Sequence, residues 1–293
     1  MANLKEVRTR ISSVQSTQQI TKAMKMVAAS KLRKAQNAIL DLRPYAQKLH
    51  ELLSHISAAG ASEQISPYTA KRQPEKVLLI AVSSNKGLCG PFNANVAKRT
   101  MELCNEKYNK QYKSGNLKIE TFGKKVAETL NSKGFEVSEQ FNDIYDELSF
   151  ENVSDFAEQF MKRFVSGEYD RVELIYNQFK NAAVQILINE QFLPVEKDQE
   201  EADNNHVQDY IFEPSENYIM KTLIPDSLKI QLFKALLDSV ASEHGARMTA
   251  MHKATDNADD LIKELKLTYN KARQAAITTE ISEITAGSEA LSD

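Results

Sequence analysis

Apolar residues recur at alternating three- and four-residue steps along the first part of the chain. The series runs Leu4, Val7, Ile11, Val14, Gln18, Thr21, Lys25, Ala28, Leu32, Ala35, Ile39, Leu42, Ala46, Leu49, Leu53 and Ile56. A mean spacing of three and a half residues is the seam of a left-handed coiled coil. From Leu4 to Ala59 there is no glycine and one proline, Pro44, so the pattern predicts a long helix with a kink at that proline. A second seam fits the far end through Ile230, Phe233, Leu237, Val240, His244, Arg247, Met251, Ala254, Ala258, Leu261, Leu265, Thr268, Ala272 and Ala275. After Pro225 no proline follows, and Gly245 alone precedes Gly287, which predicts a helix from Asp226 to Leu291. A helix that long cannot bury itself in one globular core, so it must lie along another helix or reach into a partner.

Both seams have irregularities. Between Gln18 and Lys25 the first is polar, while Ile20, Met24 and Val27 form an apolar row on a different face. That row serves a second partner, or it reflects local repacking around a polar seam; periodicity leaves both open. In the second seam His244 and Arg247 interrupt the apolar run. Beyond Ala275, Ile277, Ile281 and Ile284 have no counterpart left in the first helix. Leaving them in water forgoes about 1.5–3 kcal/mol each, so an external apolar socket is expected, with fraying or folding back as alternatives.

The middle of the chain changes period. Lys76 to Ser83 reads KVLLIAVS, a continuous apolar run of strand length suited to burial on both faces. Turn residues occupy Asn85 to Asn93, and Phe92 to Tyr108 follows as an amphipathic helix. Next come a strand at Leu117 to Phe122, a helix at Lys124 to Ser132 ended by Gly134, a short strand at Phe135 to Glu139, and a helix at Ser149 to Val165. Arg171 to Phe179 and Val184 to Phe192 are close enough to form an antiparallel hairpin. This order predicts a Rossmann-like α/β domain, its sheet mostly parallel with an antiparallel edge and helices on both faces. Three parts result: a helix over residues 1–59, an α/β domain over 75–195, and a helix over 215–293 that pairs antiparallel with the first. The linker Ala59 to Pro74 and the acidic stretch Glu196 to Asp209 read as loops.

With 293 residues, 42% hydrophobic and 26% charged, the composition is that of an ordinary water-facing protein. No run approaches the length of a membrane span, and no signal peptide is visible, so a cytosolic chain is expected. Two cysteines, Cys89 and Cys104, fit a reducing compartment and read as small buried hydrophobes. Charge is uneven. Up to Leu40, eight basic residues face Glu6 alone, so this arm carries +7 in a chain whose total is −3. Such an arm suits nucleic acid, anionic lipid or an acidic protein surface, but no aromatic precedes Tyr45 to stack on single-stranded bases.

Catalytic chemistry is sparse. The turn SSNKGLCGPFNANVAKR, Ser83 to Arg99, is rich enough in glycine to cradle a phosphate with help from Lys86. Its spacing matches neither common nucleotide fingerprint, and Gly87 and Gly90 more simply serve a tight turn. The histidines His50, His55, His206, His244 and His252 are scattered, and no spacing suits a metal. Asp259 and Asp260 diverge on a helix. Neither a catalytic site nor a cofactor is expected.

Two terminal stretches, VRTRISSVQSTQQITKAMKMVAASKLRKAQ and SEHGARMTAMHKATDNADDLIKELKLTYNKARQAAITTEISEITAGSEAL, together with GLCGPFNANVAK in the middle, resemble the γ subunits of F-type ATP synthases. The family's C-terminal signature is met at Ile277, Thr278, Glu280, Glu283, Gly287 and Ala290, with Ser288 where alanine is usual. The resemblance implies a central-stalk rotor. It would turn inside a hexamer of α and β subunits, with the ε subunit and the c-subunit ring at its foot, and would couple proton flow to ATP synthesis or hydrolysis. It implies contacts to the β subunit at Met24, Arg247, Arg273, Gln274, Thr278 and Glu280, the basic arm facing an acidic β-subunit loop, and an apolar tip of Ile277, Ile281 and Ile284 in a hydrophobic sleeve. It also implies a peripheral position on the cytoplasmic face of a bacterial inner membrane, reached only through the complex, with no nucleic acid. The chloroplast type of thiol control is not expected, because Cys89 and Cys104 lie in the ordinary turn and helix. The competing reading is a free-standing coiled-coil adaptor whose basic arm binds nucleic acid or anionic membrane.

Overall fold

The computed structural model describes residues 4–58, 67–70, 72–195 and 216–290. The acidic stretch Glu196 to Asp209 and most of the linker after Ala58 lie outside them. Helix α1 spans Leu4–Ala58 with Pro44 inside it. After a 3-10 turn at Pro67–Thr69 come β1 (Val77–Val82), α2 (Phe92–Asn105), α3 (Asn109–Lys113), β2 (Leu117–Phe122), α4 (Lys124–Ser132), β3 (Glu139–Phe141), α5 (Phe150–Val165), β4 (Arg171–Phe179), β5 (Gln185–Leu193) and α6 (Glu216–Ala290). Contacts divide the chain into two compact units, one of Met1–Ala28 with Met248–Asp293, the other of Ala29–Arg247.

In the first unit the two helices run antiparallel. Gln18 donates to Asp259, and the Thr21 and Thr255 hydroxyls lie 2.9 Å apart, so residue numbers fall on one helix as they rise on the other. Val7, Thr21 and Ala28 are buried on α1, and Met251, Ala258, Ile262 and Leu265 on α6. Ile262 lies outside the expected seam, because the buried stripe takes three positions per two turns where a strict seam takes two. The polar interval of the first seam is a hydrogen-bonded one, with Thr21 buried and Gln18 half-buried at its edge.

The second unit is built on a five-stranded sheet of order β3-β2-β1-β4-β5. β1 is parallel to β2 and β4, β2 to β3, and β5 runs antiparallel along one edge. Every residue of β1 is buried, which is what its unbroken apolar run requires at the centre of a covered sheet. One face packs Leu78, Ile80, Val82, Leu174 and Tyr176 against α5 and the first part of α6; the other packs Leu79, Ala81, Ile119 and Ile175 against α2 and α4. Later along α1, Leu32, Ala35, Ile39 and Leu49 continue the seam as buried residues.

Other expected boundaries shift by a residue, and three move further, each for a visible reason. α6 opens at Glu216 and passes through Pro225, ahead of the expected Asp226. Burial of Ile224 and Leu228 against the sheet offsets the one hydrogen bond that the proline cannot donate. The third strand is Glu139–Phe141, not Phe135 to Glu139. Phe135 is used elsewhere, its ring stacked 5.3 Å from Tyr112, while Phe141 joins Phe122 and Phe156. The helix expected to run to Tyr108 ends at Asn105. The break lets Lys107 and Tyr108 both reach the carboxylate of Glu173, which is buried in β4.

Candidate partner-contact surfaces

The strand order reverses at β1, with β2 on one side and β4 on the other. In open α/β sheets the crevice beyond the carboxyl ends of such a pair is where ligands bind. Here side chains of α6 fill it. Ser242 Oγ donates to the carbonyl of Asn177 at 2.9 Å, and Asn177 Nδ2 donates to the carbonyl of Phe92 at 3.3 Å. Cys89 and Phe92 from the turn after β1 pack on Ala246. Gly245 makes this approach possible, since a Cβ there would stand 3.2 Å from the Ala182 Cα in the β4–β5 turn.

Arg247 closes the same end. Its Nη2 donates to the carbonyls of Lys86 at 3.0 Å and Gly87 at 3.2 Å, and its Nη1 donates to Glu243 one turn back on α6. His244 Nδ1 lies 3.3 Å from the same Nη1. Burial, with Arg247 and Lys31 nearby, pushes His244 down to about 4, so near neutral pH it is an uncharged acceptor. Glu243 is raised by burial, against the opposing pull of Arg247. The turn therefore turns carbonyls towards a fixed cation, and this polarity is the reverse of a phosphate cradle, which aims N–H groups at an anion. Both thiols are raised by burial, that of Cys104 to about 12. Among the described residues no cluster of histidine, cysteine or carboxylate could hold a metal, and no helix is long and apolar enough to cross a membrane.

The other expected contact residues lie on different surfaces. Met24 is half-buried between Ile20 and Val27, which are both exposed. Arg273, Gln274, Thr278 and Glu280 are exposed on the last turns of α6, together with Ile277, Ile281 and Ile284, the last 71% exposed. Carrying the register of Gln18 with Asp259 along to Leu4 brings it level with the turn around Arg273, so α6 runs on past the start of α1. The basic residues Arg8, Arg10 and Lys22 are exposed along α1. Thus the first unit gathers Met24 and the far end of α6, while Arg247 belongs to the second unit, in contact with the turn.

A family model described as ATP synthase matches residues 3–291. The ATP synthase gamma chains of Christiangramia forsetii and Flavobacterium johnsoniae are each 56% identical to this chain over 291 residues, covering 99% of it and 99% of the relative. The chain belongs to the ATP synthase gamma chain family. A chain in the central stalk and c-ring structure of Tetrahymena thermophila mitochondrial ATP synthase is 27% identical, with a TM-score of 0.57 over 80% of this chain and 99% of that one. A chain in the OSCP/F1/c-ring structure of Euglena gracilis mitochondrial ATP synthase, 21% identical, shares the fold with a TM-score of 0.67 over 98% of this chain and 94% of that one.

Glu243 and the carbonyls of Lys86 and Gly87, the partners of Arg247, were not among the expected site residues. The spacing of Glu243 and Arg247, four apart on a helix, was a readable ion-pair signal. The carbonyls were not readable, because backbone groups 160 or more residues away leave no mark in composition.

Proposed function

We propose that this chain is the central-stalk rotor of an F-type ATP synthase, coupling proton flow through the membrane sector to ATP synthesis and hydrolysis in the α/β hexamer. It is a non-catalytic subunit, and its partners are the α and β subunits, the ε subunit and the c-subunit ring. Its identity to gamma chains over nearly the whole length carries this reading. The bare, isoleucine-bearing end of α6 agrees with it, since such an end suits a hydrophobic sleeve.

Within that role, Met24, Arg247, Arg273, Gln274, Thr278 and Glu280 meet the β subunit, and Ile277, Ile281 and Ile284 turn in the sleeve. Of these, Arg273, Gln274, Thr278 and Glu280 are exposed, and exposed polar contacts worth about 0–1 kcal/mol each suit a rotor, because they must form in one orientation and break in the next. The working parts are the helix over 1–59, the α/β domain over 75–195 and the helix over 215–293. The assembly stands on the cytoplasmic face of a bacterial inner membrane, with this chain held there through the complex. The test is reconstitution: the purified chain alone hydrolyses no ATP, and adding it to mixed α and β subunits restores ATPase activity. Absence of restoration with competent α and β subunits contradicts the reading.

A further inference from the structure

Polar groups interrupt the apolar contact between α1 and α6, and there they bond across it. Thr21 is only 8% exposed, and its hydroxyl lies 2.9 Å from that of Thr255. Each hydroxyl is also close to a carbonyl of its own helix, Thr21 to Gln18 at 2.9 Å and Thr255 to Met251 at 2.8 Å. A hydroxyl has one hydrogen to give, so one threonine donates across the seam while the other donates back to its own helix, and both are satisfied. One turn away Gln18 donates to the carboxylate of Asp259, a charge-assisted bond.

The residues around these bonds could hold the helices together without them. Val7 and Ala28 on α1, and Met251, Ala258 and Ile262 on α6, are buried and apolar. Apolar contact is non-directional, so it resists separation better than it resists sliding or rolling. A hydrogen bond is directional. A slide of half a turn, ~2.7 Å, takes the two hydroxyls out of reach and leaves Thr21 buried without its partner across the seam. A polar position inside an apolar seam fixes register at a cost in stability. Two such bonds, on residues three apart on α1 and four apart on α6, restrain slide and roll together.

They stand beside a face that has no partner in the described chain. Ile20 and Val27 are exposed, and Met24, one turn from Thr21, is half-buried. On α6 the first isoleucine of the tip, Ile277, lies about 33 Å beyond Thr255. We propose that Thr21, Thr255, Gln18 and Asp259 are positioning residues: they lock the register of the two helices, so that the Met24 row and the end of α6 keep one height and one angle relative to each other and turn as a single body. This rests on the rotor reading and adds to it the contact that makes two helices one axle.

Spin labels on Ser13→Cys and Lys253→Cys, two exposed positions that bracket the bonds, read the register in the full chain by double electron–electron resonance. The wild-type chain, whose two thiols are buried, is the unlabelled control. The locked chain gives one narrow distance. Thr21→Val with Thr255→Val and Gln18→Leu removes both bonds and keeps the seam filled, so the chain melts no earlier, yet the distance spreads by up to about 5 Å, one helical turn. Thr255→Val alone, which leaves Thr21 bonded to its own helix, spreads it less and serves if the triple variant fails to fold. Thr21→Ser with Thr255→Ser keeps the narrow distance. In the reconstituted holoenzyme the unlocked chain still supports ATP hydrolysis but pumps fewer protons per ATP, and the serine pair keeps the full ratio. An unchanged distance in the unlocked chain overturns the lock, and an unchanged proton ratio overturns its part in coupling. If the wild-type chain restores no ATPase activity to α and β subunits, the rotor reading fails instead, and the distances in the chain alone still decide the lock.

Discussion

Asp238 sits on α6 almost wholly buried, facing the β4–β5 hairpin. Its carboxyl is raised from 3.8 to about 6, chiefly by burial, with Glu190 adding to the rise and Lys234, Arg43 and the Phe179 N–H opposing it. Tyr176, whose hydroxyl donates to Glu190 at 2.8 Å, completes the group. The folded chain holds the proton more tightly than the unfolded one, so this residue favours folding increasingly as pH falls through about 6 towards 3.8. Asp238→Asn is therefore expected to stabilise the chain by about 3 kcal/mol at pH 8, with the gain disappearing below pH ~4. Denaturant melts at the two pH values check it, and a gain that persists in acid would contradict the assignment. His244 acts in the opposite sense: held neutral in the fold, it costs stability as pH falls from 6.5 towards about 4.

Other buried charges show where single residues escaped the sequence reading. Glu120 in β2 is fully buried and takes a two-pronged bond from Arg163 of α5, at 2.7 and 3.1 Å. Glu173 accepts from Lys107, Tyr108 and Asn189, and although burial pushes its carboxyl up, those bonds hold it below the ordinary value. A glutamate inside an apolar strand gives no hint of a partner more than forty residues away, and its satisfaction depends on tertiary packing.

The elements were more legible than their partners. Leu117–Phe122, Lys124–Ser132 and Arg171–Phe179 fall where alternation and turn residues place them. The α1 seam is inward from Val7 through Leu49 because one stripe of a long helix has to face its neighbour. Gly245 shows the limit. Read as a sequence it is a weak point in α6, whereas in the fold it is the place where the helix meets the β4–β5 turn, with the Ala182 carbonyl 3.3 Å and the Phe179 ring 3.4 Å from a would-be Cβ. Gly245→Ala should change stability little, since a gain in helix propensity of up to about 1 kcal/mol meets that crowding. Gly245→Leu should lower it by about 1–3 kcal/mol. Thermal melts separate the two, and a stabilising leucine would show that the approach does not matter.

At the scale of the molecule, the features with no internal use are the ones that point outward. The isoleucines near the end of α6 stay exposed, and the Ile20–Val27 row is left bare by a polar seam. Each was visible as a break in a pattern. Together they describe a chain completed by other subunits, and the central claim is that it turns within them. The most direct measurement is rotation. With α and β subunits fixed to a surface and a bead attached through a cysteine placed at the exposed Lys113, ATP should drive the bead continuously in one sense. A complex that hydrolyses ATP at full rate while the bead only fluctuates about one angle would contradict the account.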